Sequence, residues 1–284
     1  MRQVVPYFDY RRQQLRVRDL NISYWDEGTG QPIVLIHGLG GFLEYWAWVF
    51  PQLIGQFRVI ALDLPGFGES SVPSSNQLHI PDAVELLHEF VAALNLKNPI
   101  LVGHSLGGTL ALKCAATYPE NYSSVMALCP PGFGREIDLV SRVLTLPVLG
   151  EMLFQPTHAT IFRVLKCPNS VVGVDHLVKL TYERLSQPDA RTRHLTMLRQ
   201  GVNVVGQTFR LQPDQFRRCT KRVKVVWGDR DTIFPVKQAA RVRDLLPTAE
   251  LDIIPAGHML LVEESGLISQ LIMNFVGNQS AEAA

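Results

Sequence analysis

The amino-acid sequence predicts an α/β protein in which helices flank a mostly parallel, eight-stranded sheet. Short β-branched runs alternate with segments whose apolar residues recur at helical spacing, which is typical of this class. The runs are continuously apolar, as expected of strands buried on both faces. One long interval without such runs, residues 131–216, predicts an inserted helical cap. With 284 residues, the chain is long enough to bury a substantial apolar core.

The predicted elements follow in order along the chain. A hairpin over residues 11–27 supplies the first two strands. The six remaining strands are predicted at "IVLIH" (33–37), "VIALD" (59–63), "ILVG" (100–103), "VMALC" (125–129), "VKVVWGD" (223–229) and "LDIIP" (251–255). Helices are predicted over Ile80–Leu94 and Gly108–Tyr118, and Pro119 ends the second of these.

The cap, residues 131–216, divides the predicted core into residues 1–130 and residues 217–284. It shows no strand pattern, and prolines interrupt it into short helical pieces. In the first piece, residues 138–154, the polar residues lie on one narrow stripe and the remaining circumference is apolar. Three roles for this apolar face stay open: packing on the core or other cap helices, lining a hydrophobic substrate site, and docking on a bilayer.

Charge argues against a nucleic-acid partner. The chain has 27 basic and 26 acidic side chains, so its net charge of +1 implies no polyanionic ligand. Acidic residues interrupt the arginines near the N-terminus, which favours a solvated hairpin over a nucleic-acid surface. These arginines are Arg2, Arg11, Arg12, Arg16 and Arg18, and the acidic residues are Asp9 and Asp19.

Cysteine spacing and hydropathy bear on metals and location. The chain has four cysteines, Cys114, Cys129, Cys167 and Cys219. They lie far apart, and their spacing matches neither a metal-binding motif nor a redox motif. No basic leader precedes a long apolar run, and nowhere do about 18 apolar residues follow one another. The expectation is a cytoplasmic protein with reduced cysteines and no metal. A cap that docks on a bilayer would place it at the membrane periphery, and the sequence carries no signal for oligomeric state.

The segment "GHSLGG" (103–108) fits the pattern G-x-S-x-G and presents Ser105 between a predicted strand and a helix rich in small residues. So tight a turn strains the serine backbone and requires glycines on both sides. A serine hydroxyl is a poor nucleophile at neutral pH. A catalytic serine therefore needs a histidine to take its proton and a carboxylate to orient that histidine.

The partners of Ser105 are expected after the last strands. His258, in "PAGHMLLVEE", follows the final strand and is the candidate general base, whereas structural roles are favoured for the other seven histidines. The loop "WGDRDTIFP" (227–235) offers Asp229 and Asp231 as the acid. Asp231 is favoured because it lies further into the loop, where a side chain reaches a neighbouring loop more easily, and Asp229 remains the alternative.

Acyl transfer also needs donors for the developing oxyanion. The backbone N–H groups of Leu39 and Leu106 are the candidates, from the glycine loop after "IVLIH" and from the residue after the serine. The glycine loop has neither G-x-G-x-x-G spacing nor the lysine of a phosphate-binding loop, which argues against a nucleotide. This chemistry requires neither a metal nor an organic cofactor.

These motifs together resemble the α/β-hydrolase superfamily, in its serine hydrolase and esterase branch. They occur in that family's order: "HGLGG", "DLPGFGES", "GHSLGG", "WGDRD" and "GHMLLVEE". In that family the cap is inserted after the strand that follows the nucleophile helix, which is where residues 131–216 lie. The segment "ALCPPGFGREI" and the apolar cap also resemble the chlorophyll dephytylases and related pigment esterases, which cleave a phytyl ester.

The resemblance implies a serine esterase acting on a small hydrophobic ester with a bulky or long apolar group, and chlorophyll is one such ester. Ser105 argues for acyl chemistry, because the related dehalogenases and epoxide hydrolases carry an aspartate at that position. Two alternatives stay open. A C–C hydrolase of the meta-cleavage type would need polar groups to hold an acidic dienoate, and a receptor of the same fold would need no catalysis.

Overall fold

The computed structural model of the protein describes residues 6–157, 161, 171–216 and 221–282. Arg2, His158, Cys167 and Cys219 lie outside these ranges. The strands are β1 (Gln13–Val17), β2 (Leu20–Glu27), β3 (Pro32–Ile36), β4 (Arg58–Leu62), β5 (Ile100–His104), β6 (Ser124–Leu128), β7 (Val202–Asn203), β8 (Gly206–Gln207), β9 (Arg222–Gly228) and β10 (Glu250–Ile254).

The α-helices of the described residues range from single turns to an eighteen-residue helix near the C-terminus. They are α1 (Phe50–Leu53), α2 (Ile80–Ala93), α3 (Leu106–Thr117), α4 (Leu139–Leu144), α5 (Leu149–Leu153), α6 (Val174–Leu185), α7 (Ala190–Gly201), α8 (Pro213–Phe216), α9 (Val242–Leu245), α10 (Leu260–Glu263) and α11 (Ser265–Glu282). Short 3-10 helices occupy Leu43–Trp46, Pro119–Asn121 and Val236–Arg241. Over the described ranges, none of the helices combines the length and apolarity needed to cross a membrane.

Eight strands form one sheet in the order β1-β2-β4-β3-β5-β6-β9-β10. Strand β2 runs antiparallel to both of its neighbours, and every other pair from β4 to β10 is parallel. The prediction of a mostly parallel eight-stranded sheet is confirmed, with strand ends within two residues of those expected. In the parallel part, the carboxyl ends of the strands meet at one edge, where the loops that carry Ser105, Asp231 and His258 begin.

The central strands are buried because helices cover both faces of the sheet. All residues of β5 and β6 are buried. Helix α2 begins with Pro81 in its first turn and turns Leu86, Leu87 and Phe90 inward. Helix α3 carries glycine and alanine, which allow it to approach the sheet closely.

The segment between β6 and β9 carries the helices α4–α8 and the short strands β7 and β8, and we keep the name cap for its residues 131–216. Its structure corrects the sequence analysis at two points. Val202 pairs with Gln207 and Asn203 with Gly206, so the cap contains a small hairpin where no strand was expected. Strands of two residues are too short to give an alternating pattern. Residues 138–154 form two helices, α4 and α5, because the chain turns sharply at Pro147 and Val148.

The expectation of a solvated N-terminal hairpin is wrong for Arg12. Its guanidinium donates to the buried Asp63 at 2.7 Å and to Glu44 at 2.5 Å. Arg184, on cap helix α6, donates to the same Glu44 oxygen at 2.9 Å. These four residues form a partly buried ion network, which the local charge pattern could not reveal because its members lie far apart in sequence. Arg18 agrees with the expectation, since it pairs at the surface with acidic residues of α2.

Candidate active site

Ser105 occupies the turn between β5 and α3. Its φ of 53° and ψ of −122° are strained for a residue with a side chain, and its N–H donates to the carbonyl of Leu128 at 2.8 Å. A Cβ on Gly103 would lie 2.1 Å from the carbonyl oxygen of Gly107, and one on Gly107 would lie 2.3 Å from that of Ile36. The turn therefore requires glycine at both positions. It places Ser105 immediately before the first residue of α3.

Asp231 and His258 meet at the same edge of the sheet. They follow the parallel neighbours β9 and β10, and Oδ2 of Asp231 lies 2.8 Å from Nδ1 of His258. The other carboxylate oxygen accepts hydrogen bonds from the N–H groups of Ile233 and Phe234. Burial opposes ionisation of Asp231, but His258 and the two N–H donors outweigh it and lower the pKa of the carboxyl. Asp231 is therefore a buried carboxylate that holds Nδ1 protonated and leaves Nε2 available as a base.

Asp229 does not contact the histidine. Its N–H continues the pairing with β10 by donating to Ile254, and its side chain is 49% exposed beside Arg230. Of the two acids that the sequence offered, the structure brings Asp231 to His258.

Ser105 lies in the same region as this pair. Nε2 of His104, the residue before the serine, is 2.8 Å from the carbonyl oxygen of His258. Phe234 packs against the His258 ring, with ring centroids 5.4 Å apart, and it lines the same cleft as Ser105. Among the described residues, the Ser105 hydroxyl and the His258 ring are not hydrogen-bonded to each other. Catalytic hydrogen bonds of this kind are often long until substrate binds.

The two candidate oxyanion donors flank the serine. Leu39 and Leu106 line the cleft with Ser105. Neither backbone N–H donates a hydrogen bond within the described part of the chain. Leu106 is the first residue of α3, where N–H groups have no partner inside the helix and the helix dipole favours negative charge.

Cys129 is a neighbour of the pair that sequence reasoning did not include. Its sulfur, a carboxylate oxygen of Asp231 and a ring nitrogen of His258 lie within 4.8 Å of one another. Burial and the charge of Asp231 raise the pKa of the Cys129 thiol, which therefore stays neutral. Because His258 Nδ1 is engaged with Asp231, this cluster does not offer three free metal ligands. No local motif marks Cys129, since it reaches the site only through the pairing of β6 with β9.

Two further histidines contact the site without lining the cleft. Burial, followed by the nearby His258, lowers the pKa of His104 to about 3, so His104 is neutral and donates to the His258 backbone. His194, on cap helix α7, lies over the glycine loop, with its ring nitrogen 2.5 Å from where a Cβ of Gly40 would stand. Burial lowers the pKa of His194 to about 4. Structural roles were expected for both histidines, and this stays a prediction.

A cleft opens at Ser105, and the space along it, counted out into open solvent, is about 550 Å³. Core and cap both contribute to its walls, which are lined by Leu39, Ile80, Ser105, Leu106, Thr109, Pro131, Ile137, Met197, Leu198, Gly201, Val202, Gln207, Phe209 and Phe234. The Thr109 hydroxyl donates to Pro131, and the Gln207 amide bonds to Gly132, Glu136 and Gln238. Among the described residues, no charged side chain lines this cleft. It can therefore hold an apolar group with its polar end at Ser105.

Comparison with known proteins agrees with this architecture. Residues 31–265 match the family of the alpha/beta hydrolase fold. A dihydrolipoyllysine-residue acetyltransferase component of the acetoin cleaving system from Cupriavidus necator is 30% identical over 92% of this chain and 68% of its own length. A 2-hydroxy-6-oxo-6-(2'-aminophenyl)hexa-2,4-dienoic acid hydrolase from Metapseudomonas resinovorans is 25% identical over 90% of this chain and 88% of its own. The crystal structure of a bacterial membrane phospholipase A superposes with a TM-score of 0.81 at 24% identity, covering 94% of this chain and 86% of that one.

Proposed function

This chain belongs to the α/β-hydrolase family, and we propose that it is a serine hydrolase that cleaves carboxylic esters with a bulky or long apolar group. The observation that carries the proposal is the uncharged, mostly apolar cleft that opens at Ser105. The ionised Asp231 bonded to His258 supports the chemistry, because this pair provides the base that a serine nucleophile needs.

In the proposed mechanism, His258 takes the proton of Ser105 while the serine oxygen attacks the ester carbonyl. The N–H groups of Leu39 and Leu106 bind the oxyanion, and each such donor is worth about 3 kcal/mol in the transition state. Protonated His258 then gives its proton to the leaving alcohol, and an acyl-enzyme remains on Ser105. Finally, His258 takes a proton from water, which attacks the acyl-enzyme and releases the acid and free Ser105.

The substrate class follows from the walls of the cleft. Leu198, Val202 and Phe209 of the cap and Leu106 of the core supply apolar surface to the cleft. A long or bulky apolar group gains free energy when it leaves water for such a surface. The phytyl ester of chlorophyll is one member of this class.

A second candidate, a C–C hydrolase, is favoured by the relatives that are named dienoate hydrolases. Such an enzyme must hold an acidic dienoate, which calls for a cationic or strongly polar group in the cleft. Gln207 is committed to backbone and side-chain partners, and the described lining residues include neither Lys nor Arg. Because the described residues of the cleft offer no such group, we favour the ester hydrolase over the C–C hydrolase.

The decisive experiment compares hydrolysis of p-nitrophenyl esters from short to long acyl chains, with chlorophyll as a phytyl ester and a phenyl-substituted dienoate as the C–C substrate. We expect wild type to prefer the long esters. Ser105→Ala should lower kcat by a factor on the order of 10⁶. Ser269→Ala, at a buried serine of α11 whose hydroxyl bonds within its own helix, is the matched control and should retain activity.

Three other results of this experiment would change the proposal. Cleavage of the dienoate without cleavage of any ester would replace the esterase proposal with the C–C hydrolase. Failure on every substrate by correctly folded protein would favour the receptor. Equal activity of Ser105→Ala and wild type would remove Ser105 as the nucleophile.

A further inference from the structure

Exposed apolar side chains are concentrated in the cap. Of thirteen large apolar residues that are exposed in the described part of the chain, ten lie between residues 139 and 205. Seven of them form what we call the cap face: Leu139, Val140, Val148, Met152, Leu153, Val204 and Val205. Exposed apolar residues scattered singly are ordinary, but a grouped set usually marks a binding surface.

Polar contacts join the segment that holds α4 and α5 to the rest of the cap. Arg199, on α7, donates to the carbonyl oxygens of Thr145 and Leu146 and to the carboxylate of Glu151. The polar groups of this segment thus attach it to the rest of the cap. Leu144 is buried, whereas Leu139, Val140, Met152 and Leu153 of the same segment are left toward solvent.

The turn between α4 and α5 exposes an apolar residue at a strained position. Val148 has a φ of 67°, and the N–H of Leu149 donates to the carbonyl of Pro147 at 2.7 Å across it. Positive φ is unfavourable for a β-branched residue. The Val148 side chain is nonetheless 70% exposed, the largest exposed fraction among the apolar residues of the cap face.

The hairpin tip belongs to the same surface. Val204 and Val205 are exposed at the tip, and Arg142 of α4 donates to the carbonyl of Val204 at 2.7 Å. The segments behind the cap face line the cleft, through Ile137 before α4 and Val202 in β7. The cap face is therefore the outer side of a wall whose inner side contacts the substrate site.

Unpaired positive charge accompanies the cap face. Arg135, Arg142 and Arg210 lie around the hairpin, and none forms a salt bridge with an acidic group of the described residues. The nearby Glu136 is already paired with Lys237 and Arg241. A surface that combines exposed apolar side chains with arginines complements an anionic lipid bilayer, whose headgroups attract cations above an apolar interior.

We propose that the cap face docks on the surface of an anionic lipid bilayer and that the cleft takes its ester from that bilayer. The docking stands on the surface itself, whereas the delivery of an ester rests on the proposed function. Apolar residues of α4, α5 and the hairpin tip enter the boundary between headgroups and acyl chains. The three arginines bind the lipid phosphates.

A second copy of the chain fits this surface less well. Outside the cap, the exposed large apolar residues of the described ranges are Tyr7, Val72 and Ile253, which lie on separate elements. Another copy could therefore offer a large apolar partner only through its own cap face. That arrangement would bring the unpaired arginines of both copies to one interface, where like charges repel.

The test uses Ser105→Ala protein, so that binding is measured without hydrolysis. It compares co-sedimentation with vesicles of phosphatidylcholine and with vesicles that also contain phosphatidylglycerol. We expect binding to the mixed vesicles, and the added pair Val148→Asp and Met152→Asp should weaken it by about tenfold or more. The matched control adds Val72→Asp and Ile253→Asp, which changes two apolar residues that are exposed elsewhere on the molecule and should leave binding unchanged.

A second arm separates charge from apolar contact. Arg135→Gln with Arg210→Gln should remove most of the preference for phosphatidylglycerol, and added salt should weaken the binding of the parent protein. Binding no greater than background, or equal loss in the Val72 and Ile253 control, would overturn the proposal. So would a dimer in solution that Val148→Asp and Met152→Asp dissociate, because the cap face would then be a contact between copies.

Failure of the docking and failure of the proposed function can be told apart. Hydrolysis of a short, soluble ester by protein with an intact Ser105 needs no vesicle, and Val148→Asp with Met152→Asp should leave its rate unchanged. If the short ester is cleaved while vesicles are not bound, the docking alone is wrong. If vesicles are bound by folded protein that cleaves no ester, the proposed function is wrong and the docking stands.

Discussion

The sheet edge and the cap treat polar and apolar groups in opposite ways. At the sheet edge, Asp231 is buried and its carboxylate accepts three hydrogen bonds. In the cap, polar groups such as Arg199 join helices to one another while Val148 and Met152 face water. A buried charge is tolerated only when hydrogen bonds or an opposite charge satisfy it. A single exposed apolar side chain costs little free energy, whereas a group of them forms a surface that can bind a partner.

This difference separates two tasks within one molecule. The loops at the sheet edge fix the orientation of the candidate catalytic groups, because their partners come from adjacent strands of a rigid sheet. Under the two proposals above, the cap determines what reaches those groups, through the inner wall of the cleft and through its outer face. Changes at the sheet edge should therefore alter rate, whereas changes on the cap face should alter access and leave the chemistry intact.

The largest expected effect at the sheet edge, after the loss of Ser105 itself, is that of Asp231→Asn. An amide cannot hold the His258 ring with Nδ1 protonated, so we expect kcat for a soluble ester to fall by a factor of about 10⁴. Asp229→Asn, two residues away and half exposed, is the matched control and should remain near the wild-type rate. Loss of activity in Asp229→Asn with retention in Asp231→Asn would reverse the assignment of the acid.

The next effect concerns the ion network that joins the two regions. Arg184→Met removes the cap cation that bonds Glu44 and packs over Phe42, with 4.5 Å between guanidinium carbon and ring centroid. The buried carboxylate of Glu44 loses one arginine partner and keeps the other, Arg12. We therefore expect the free energy of unfolding to fall by about 2 kcal/mol. Urea unfolding measures this. Lys179→Met, in an exposed pair on the same helix, should change stability little.

A fall as small for Arg184→Met as for Lys179→Met would mean that Arg184 does not stabilise the junction of cap and core. In that case the two regions would be held together by apolar packing and by their other hydrogen bonds, such as those from Arg193 to Gly66 and from Gln200 to Leu78.

The sequence alone predicts those features that depend on neighbouring residues in the chain. The continuous apolar runs predicted the strands to within two residues, and "GHSLGG" placed Ser105 between β5 and α3. The choice of Asp231 over Asp229 depended on reach from the end of a strand, and in the structure Asp231 is the one of the two whose carboxylate contacts His258. The chemistry of the site depends on short segments in which the turn geometry and the reaction allow few residue types. Such segments can therefore be recognised in the sequence.

The rest could not be predicted because it depends on contacts between distant residues. Arg12 meets Glu44 and Asp63 only after β1, β3 and β4 have assembled, and no local pattern distinguishes it from its solvated neighbours. The apolar circumference of residues 138–154 allowed three interpretations, since periodicity gives a face and not its partner. The turn at Val148 carries no such signal, because Pro147 alone does not specify where the next helix begins.

An effect of similar size, but dependent on pH, is expected from the protonation of His104. Burial and His258 lower its pKa to about 3, whereas an unfolded chain has a histidine pKa near ~6.5. Between these values the unfolded chain binds a proton that the folded protein does not, so stability falls as pH is lowered. From about pH 7.5 to about pH 5, His104 should account for a loss of about 2 kcal/mol.

The measurement for His104 is urea unfolding at the two pH values, with His104→Gln for comparison. Glutamine keeps a donor for the His258 carbonyl but has no proton to gain in this range. The variant should therefore lose less stability than wild type on acidification. The same slope in both proteins would show that His104 takes no part in the acid sensitivity of the sheet edge.

The smallest expected effect is that of a substitution on the cap face, compared with the same kind of substitution at a buried residue of the same helix. Val140 and Leu144 lie on the same helix, α4, but Val140 is exposed and Leu144 is buried. Val140→Ala removes apolar atoms that contact water and introduces a better helix former, so stability should stay within about 0.5 kcal/mol or rise slightly. Leu144→Ala should cost roughly 2 kcal/mol or more, because it leaves a cavity. If Val140→Ala cost as much as Leu144→Ala, the cap face would be packed in solution, and the contrast between sheet edge and cap would not hold.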